Sequence, residues 1–371
     1  MSGTDAKGDT AFSTSRAAPA LWTGLRRKAA PALFTATAGL LMALVLIQAQ
    51  GYAALPSLAY GLDYALGDVV SIARTVAWGV PLYIAAVGVA LAFRAGMFNI
   101  GAEGQIYGGA MAAALVGAYI GPIFSGLHIG LTVLASAAAG ALLAASLGWL
   151  RASWDVDEVL STLLSNYIVI LFCAYLATGP LRDPARQSGT TREIHETAVF
   201  ASLVPRTGLT TAVFLVVVAI AGGWWLSERS VLGYRWRMTG ESKPFAAAVG
   251  IDVKSSRIAS MAASGALCGI AGGLLVTASQ GRFSTEIGSG IGWDAVLVAL
   301  IGRARIMSTV AWVTVYIVMR SAARGIEQVT SVPSELSLIL ISAIIIAAAA
   351  RAGAFARFAA LQQRIAAWKG R

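Results

Sequence analysis

The chain has little charge: Asp, Glu, Lys and Arg make up 12% of its 371 residues, about half the share of an ordinary globular domain. With 57% hydrophobic residues and a mean hydropathy of +0.72, this excludes a water-soluble fold. Histidine is scarcer still, with two residues, and the two cysteines, Cys173 and Cys268, fall inside separate apolar runs without metal-ligand spacing or a pairing signature. Both read as packing residues. His195 alone makes no metal site, so none is expected. No GxxxxGK[ST] phosphate loop surrounds Lys7, Lys28, Lys243, Lys254 or Lys369, and HExxH, CxxC and GxSxG are missing as well. The sequence therefore offers neither a nucleotide-hydrolysing site nor a catalytic constellation. Energy for any transport must come from a partner or a gradient.

What the chain does have is long apolar runs, at about 30–50, 76–93, 104–120, 128–150, 158–178, 209–227, 256–278, 291–302, 305–320 and 335–351. A bilayer core about 30 Å thick needs about 20 apolar residues per helix. The pattern predicts an all-α membrane protein, a helical bundle of about ten transmembrane segments. The net charge of +10 does not form one basic face of the kind nucleic acid needs. Lys and Arg gather before the first run, between 229 and 257, at Arg303 and Arg305, and from Arg351 to Arg371, which the positive-inside rule places together in the cytoplasm when the number of crossings is even. Residues 1–28 then form a cytoplasmic tail, 29–352 the transmembrane domain and 353–371 a basic cytoplasmic tail. The run after Arg26, Arg27 and Lys28 is too long for a signal-peptide core and reads as a retained first span. The run 291–302 is too short to span as a plain helix. It reads as a broken or re-entrant element, which is tolerated at membrane depth only where protein or a water-filled cavity satisfies its backbone.

Several polar segments interrupt the apolar pattern. FRAGMFNIGAEGQ, from Phe93 to Gln105, sets Phe98, Asn99, Glu103 and Gln105 among glycines between two runs. These residues are either pathway contacts for a polar solute or part of a loop just outside the bilayer. In DVDEVLSTLLSNY, Glu158, Ser161, Thr162, Ser165 and Asn166 share one helical face, a stripe that either bonds neighbouring helices or lines a cavity. Trp293 and Asp294 stand at the mouth of the short run, either at the interface or against substrate. Gly265, Gly269 and Gly273 recur every fourth residue, the spacing that lets membrane helices pack closely. The segment 179–208 is polar and lies outside on this topology, as a solvated loop or a docking surface. The basic loop 229–257 lies inside, either as an interfacial helix on anionic lipid or as a docking helix for a motor through Gly240, Glu241, Ala246, Ala247, Gly250 and Ile251.

Taken in order, FRAGMFNIGAEGQ, EVLSTLLSNYIVILFCAYLATGPLRDP, TGESKPFAAAVGI and GIGWDAVLVALIG resemble the permeases of bacterial ABC importers, over roughly residues 30–350. That superfamily handles ribose-type sugars, branched-chain amino acids and nucleosides. The second segment is most similar to its nucleoside and simple-sugar branch, whose binding proteins are basic-membrane-lipoprotein-like. The resemblance implies a type II importer fold in the inner membrane, a homologous second permease, a partner ATPase that holds ATP and magnesium, and an extracytoplasmic lipoprotein that delivers a small solute. Nucleosides or related ribosides are the expected cargo, with branched-chain amino acids or free sugars as the alternative. A self-sufficient secondary transporter is the rival from another class. It would carry coupling carboxylates at mid-helix, whereas Glu103, Glu158 and Asp294 fall near run ends. A membrane enzyme lacks a nucleophile or metal set.

Overall fold

The computed structural model describes residues 51, 53–186, 189–288 and 290–329, with Val45, Gln48 and Ala49. Apart from those last three residues, the expected spans 30–50 and 335–351 and both tails lie outside the described residues. The chain divides into two units, of which residues 56–331 form the one considered below. Its elements are α1 (Ala54–Leu66), α2 (Val69–Arg94), α3 (Ala102–Tyr119), α4 (Ser125–Trp154), α5 (Glu158–Thr178), the hairpin β1 (Ser202–Val204) and β2 (Leu209–Thr210), α6 (Val213–Glu228), α7 (Val231–Glu241), α8 (Lys243–Ala248), α9 (Val253–Leu274), α10 (Ile291–Ile301) and α11 (Ile306–Val329).

Among the described residues five helices are long and apolar enough to cross a membrane: α2, α4, α5, α9 with its π-helical extension to Gln280, and α11. A sixth span results if α6 and α7, bent by 65° at Ser230, are counted together. Two of the ten expected segments, 30–50 and 335–351, fall outside this count because they lie outside the described residues. α3, whose first turn carries Glu103 and Gln105, and α10, only 11 residues long, do not qualify alone. The helix α1 was not anticipated. It packs on α11, where Gly61 meets Ala322 and Ile326 and Gly325 meets Tyr64.

Caps set the helix starts. Asp68, Asp157, Ser230, Ser242 and Asp252 each accept a bond from the backbone N–H three residues on, opening α2, α5, α7, α8 and α9. α9 is the hub and packs against α4, α2 and α3. Lipid gives helices no hydrophobic reason to associate, so close backbone approach must supply the contact. On one face of α9, Gly265 and Gly269 abut Gly140 and Gly273 abuts Ser136 on α4. On another face, Gly269 meets Gly109 and Gly272 meets Ile106 on α3, while α2 contributes Gly88 against Ser264 and Leu267.

The segment 179–208 is more than a solvated strap. Ile194, Ala198 and Phe200 are buried, and backbone bonds join Thr191 to Phe283, Ile194 to Gly281, His195 to Gly117 and Phe200 to Thr277. It lies across the ends of α3 and of the π-turn of α9. Arg282 pairs there with Glu193 at 3.0 Å and Asp183 at 4.0 Å. This end carries the hairpin, and the opposite end carries α7, α8, Arg303 and Arg305.

A side chain at Gly269 has nowhere to go, because its Cβ would strike the Ser136 carbonyl. Gly269→Leu is expected to cost about 1–3 kcal/mol or more and to lower the melting temperature in detergent by about 5 °C or more. Gly222→Leu, where a Cβ meets nothing within 4 Å, should leave it unchanged; equal melting of the two variants would refute the hub.

Candidate functional site

α2 ends at Arg94, and the next seven residues are not helical. Gly96, at φ +69°, starts this segment back into the bundle, a backbone shape that favours glycine. Asn99 is fully buried and donates to Ser264 Oγ at 2.9 Å. Ser264 is about 16 Å along α9 from Val253 at 1.5 Å per residue, so Asn99 lies near the middle of an about 30 Å apolar layer. The first half of this crossing is therefore non-helical backbone, and α3 supplies the other half.

Non-helical backbone at that depth must find partners within the protein. Asn166 Nδ2 donates to Ile100 O at 2.9 Å while its Oδ1 accepts from Gly104 N at 2.8 Å. Thr162 Oγ1 accepts from Ile100 N at 3.3 Å. The Asn99 and Gln105 amides pair with each other at 3.0 Å in both directions, and Asn99 Oδ1 also accepts from Gly101 N. Thr162 and Asn166 are 0% and 2% exposed. The stripe on α5 thus binds a neighbouring element, and in this conformation Asn99, Gln105, Thr162 and Asn166 present no free surface to a solute.

A second crossing is broken in the opposite sense. Residues 281–288 and 290 run inward from the hairpin end without helix, and α10 completes the passage. Glu103, 4% exposed, accepts from Gly290 N at 3.1 Å and Gly292 N at 2.6 Å. One carboxylate in the first turn of α3 therefore caps the start of α10, and two helix N-termini, each equivalent to roughly half a positive charge, converge on it. Tyr107 assists by donating to Thr285 O at 3.1 Å. Glu103 and Asp294 thus lie at mid-depth rather than at a membrane surface, because the ends of these two runs are ends of half-helices.

Trp293 and Asp294 are on the first turn of α10, with Trp293 44% exposed and Asp294 partly buried. Phe98 is not part of the amide cluster. It stacks on Phe93 at 4.7 Å and lines a crevice of about 390 Å³ with Gly96, Glu158, Leu300 and Arg303. Glu158 pairs with Arg151 at 2.8 Å. Two residues the sequence reading missed, Arg320 and Arg324, continue the face of Tyr316 at i+4 spacing, the signal that could have found them.

The expected docking residues divide. Glu241, Ala247 and Gly250 are exposed and Ile251 is partly so, beside Phe245 and Val249, each 52% exposed. Ala246 is 0% exposed and seats α8 from inside, which corrects its reading as a partner contact. Gly240 packs on the Arg94 carbonyl and on Gly96, whose own Cβ position lies 3.0 Å from Gly240 Cα. Arg94 and Arg237 both pair with Glu228.

Interrupted spans whose polar groups meet at mid-depth define a multi-pass, mainly helical membrane protein. The chain belongs to the family described as the branched-chain amino acid transport system / permease component, which matches residues 71–349. It is 30% identical over 310 residues to a guanosine ABC transporter permease of Bacillus subtilis, covering 80% of this chain and 84% of that one. A glucose ABC transporter permease of Haloferax volcanii is 28% identical, covering 72% and 73%. A nucleoside ABC transporter permease of Lactococcus lactis is 26% identical, covering 86% and 90%. No solved structure matches the chain.

Removing the Glu103 charge leaves buried N–H donors without a full acceptor. Glu103→Gln is expected to raise hydrogen exchange at Gly290 and Gly292 by about tenfold, the equivalent of about 1–3 kcal/mol per unmade bond. Unchanged exchange there would show that the carboxylate does not hold the second break.

Proposed function

We propose that the chain is the membrane-spanning permease subunit of an ATP-driven ABC importer that carries nucleosides or related ribosides across the bacterial inner membrane. The observation that carries this reading is the pair of half-spans joined at Glu103. A fold needs such interruptions at mid-depth only where a solute must pass. The cargo follows from the relatives, two of which carry nucleosides by name. Free sugars remain the alternative through the glucose relative.

The end bearing Arg235, Arg237, Arg303 and Arg305 is then cytoplasmic, as are both termini. A partner ATPase binds ATP and magnesium and docks on α8, where Phe245, Ala247, Val249 and Gly250 offer a small apolar surface beside Glu241. A homologous second permease completes the pathway. An extracytoplasmic lipoprotein delivers the solute to the hairpin end, over the packed 179–208 segment.

Uptake of labelled guanosine, ribose and leucine by a strain lacking this chain should recover for guanosine alone when the chain and its ATPase are both restored. Uptake that survives loss of the ATPase and follows a proton or sodium gradient would make the chain a secondary transporter instead. Phe245→Glu, on an exposed face, should lower uptake about tenfold, as loss of a central interface anchor does, with the amount of chain in the membrane unchanged. Normal uptake by that variant would exclude α8 as the ATPase contact.

A further inference from the structure

Between the buried junction at Glu103 and the end that carries α7 and α8, the start of α5 and the end of α10 leave a crevice of about 390 Å³, within the range of about 300–1,000 Å³ of small-molecule sites. Its place follows from the chain. Phe98 directly precedes the fully buried Asn99, and Leu300, in the last turn of α10, lies about 12 Å from Gly292 at 1.5 Å per residue.

Aromatic, acidic and basic side chains line this one space. Phe93 and Phe98, both partly buried, stack with their centroids 4.7 Å apart and their planes within 11°. Glu158, in the first turn of α5, pairs through Oε2 with Arg151 at 2.8 Å, and its Oε1 meets no donor among the described residues. Arg303 stands on the turn after α10 and makes no ion pair among the described residues. That turn is held in an unusual shape. Arg303 and Ala304 have φ of +54° and +55°, which residues with a side chain rarely adopt, and their N–H groups donate to the Leu300 and Ala299 carbonyls at 3.0 Å each. Strain of this kind persists where the surrounding structure fixes a side chain for use.

A carboxylate and a guanidinium in the same crevice make a lipid tail a poor filling, because charge against hydrocarbon is costly. The groups suit a polar solute with a flat face. Parallel rings offer a stacking surface to a further flat ring, the unpartnered carboxylate oxygen accepts from a hydroxyl, and the guanidinium donates to a carbonyl or ring nitrogen. A nucleoside carries all of these: a planar base, ribose hydroxyls and acceptors on the base edge. A free sugar has no ring to stack, and leucine would bring a second carboxylate toward Glu158.

Resting on the nucleoside reading above, we infer that this crevice is an inner station on the solute's route, where Phe98 stacks the base, Arg303 bonds its edge and Glu158 accepts a ribose 2′- or 3′-hydroxyl. It selects ribonucleosides, since a 2′,3′-dideoxynucleoside leaves the Glu158 oxygen unpaired.

The test uses the complete importer in lipid nanodiscs with Leu300→Cys in this chain, because Leu300 lines the crevice and is 46% exposed while Cys173 and Cys268 are buried. Inosine at about ten times its dissociation constant should slow labelling of the new thiol by a water-soluble maleimide about tenfold. The same concentration of 2′,3′-dideoxyinosine should slow it far less, and ribose and leucine should leave it unchanged. In that background Glu158→Ala should raise the inosine concentration needed by about tenfold or more without moving that of dideoxyinosine, and Phe98→Ala should weaken both alike by about tenfold. Glu158→Gln, which keeps an acceptor but loses the charge, should fall between and replaces Glu158→Ala if that variant does not assemble. Labelling that inosine leaves unslowed, in an importer whose inosine uptake is normal, would overturn the station. Equal protection by inosine and its dideoxy form would do the same, as would Glu158 variants that weaken both equally. An importer that takes up no nucleoside at all fails the earlier reading instead, and wild-type uptake alone tells the two failures apart.

Discussion

In an apolar layer every backbone N–H must find its acceptor within the protein, and here one carboxylate carried by the first interrupted span meets that demand for the second. Glu103 opens α3 and closes the start of α10 through Gly290 and Gly292. Without an acceptor at that point α10 could not begin at mid-depth after a stretch of bends and turns. An anion is also what two converging helix starts call for. Burial of a charged group, costly alone, is offset by charge-assisted bonds in a site where water is excluded.

The junction is held in place by packing rather than by its own bonds. Gly109 on α3 and Gly269 on α9 touch backbone to backbone, as do Gly265 and Gly140. These approaches bring Ser264 within 2.9 Å of Asn99, so the amide cluster inherits its position from glycines that carry no chemistry. The helix α5 contributes differently: Thr162 and Asn166 bond the non-helical backbone directly. Small residues set the distance, and amides satisfy what the close approach exposes.

Much of this was legible in the sequence. The glycines and amides of FRAGMFNIGAEGQ marked a break, the length of 291–302 marked another, and the four-residue spacing of Gly265, Gly269 and Gly273 marked a packing face. Depth was not legible. A polar residue at the end of an apolar run reads as a surface group, and only the partner of that end shows that Glu103 and Asp294 belong to half-helices. The stripe on α5 had two equal readings because a hydrogen bond to a neighbour and a contact with a cavity need the same side chains. Arg320 and Arg324 were hidden by their surroundings: charges after a hydrophobic run suggest the end of a span, whereas both guanidinium groups lie over Trp78, on a helix more than 200 positions earlier in the chain.

The basic loop 229–257 illustrates why residue type alone could not divide exposed surface from scaffold. Gly240 and Gly250 look alike in sequence and both are exposed, yet Gly240 lies on Gly96 while Gly250, at φ +79°, has no neighbour within 4 Å of its Cβ position. Arg94 and Arg237 share Glu228, so the ends of α2 and α6 and the body of α7 are fastened at one point. Gly240 of α7 rests on Gly96, and the non-helical segment that begins there leads, within a few residues, to Asn99 and Glu103. The contacts that seat α7 therefore also fix where that segment begins, and with it the carboxylate that holds the start of α10.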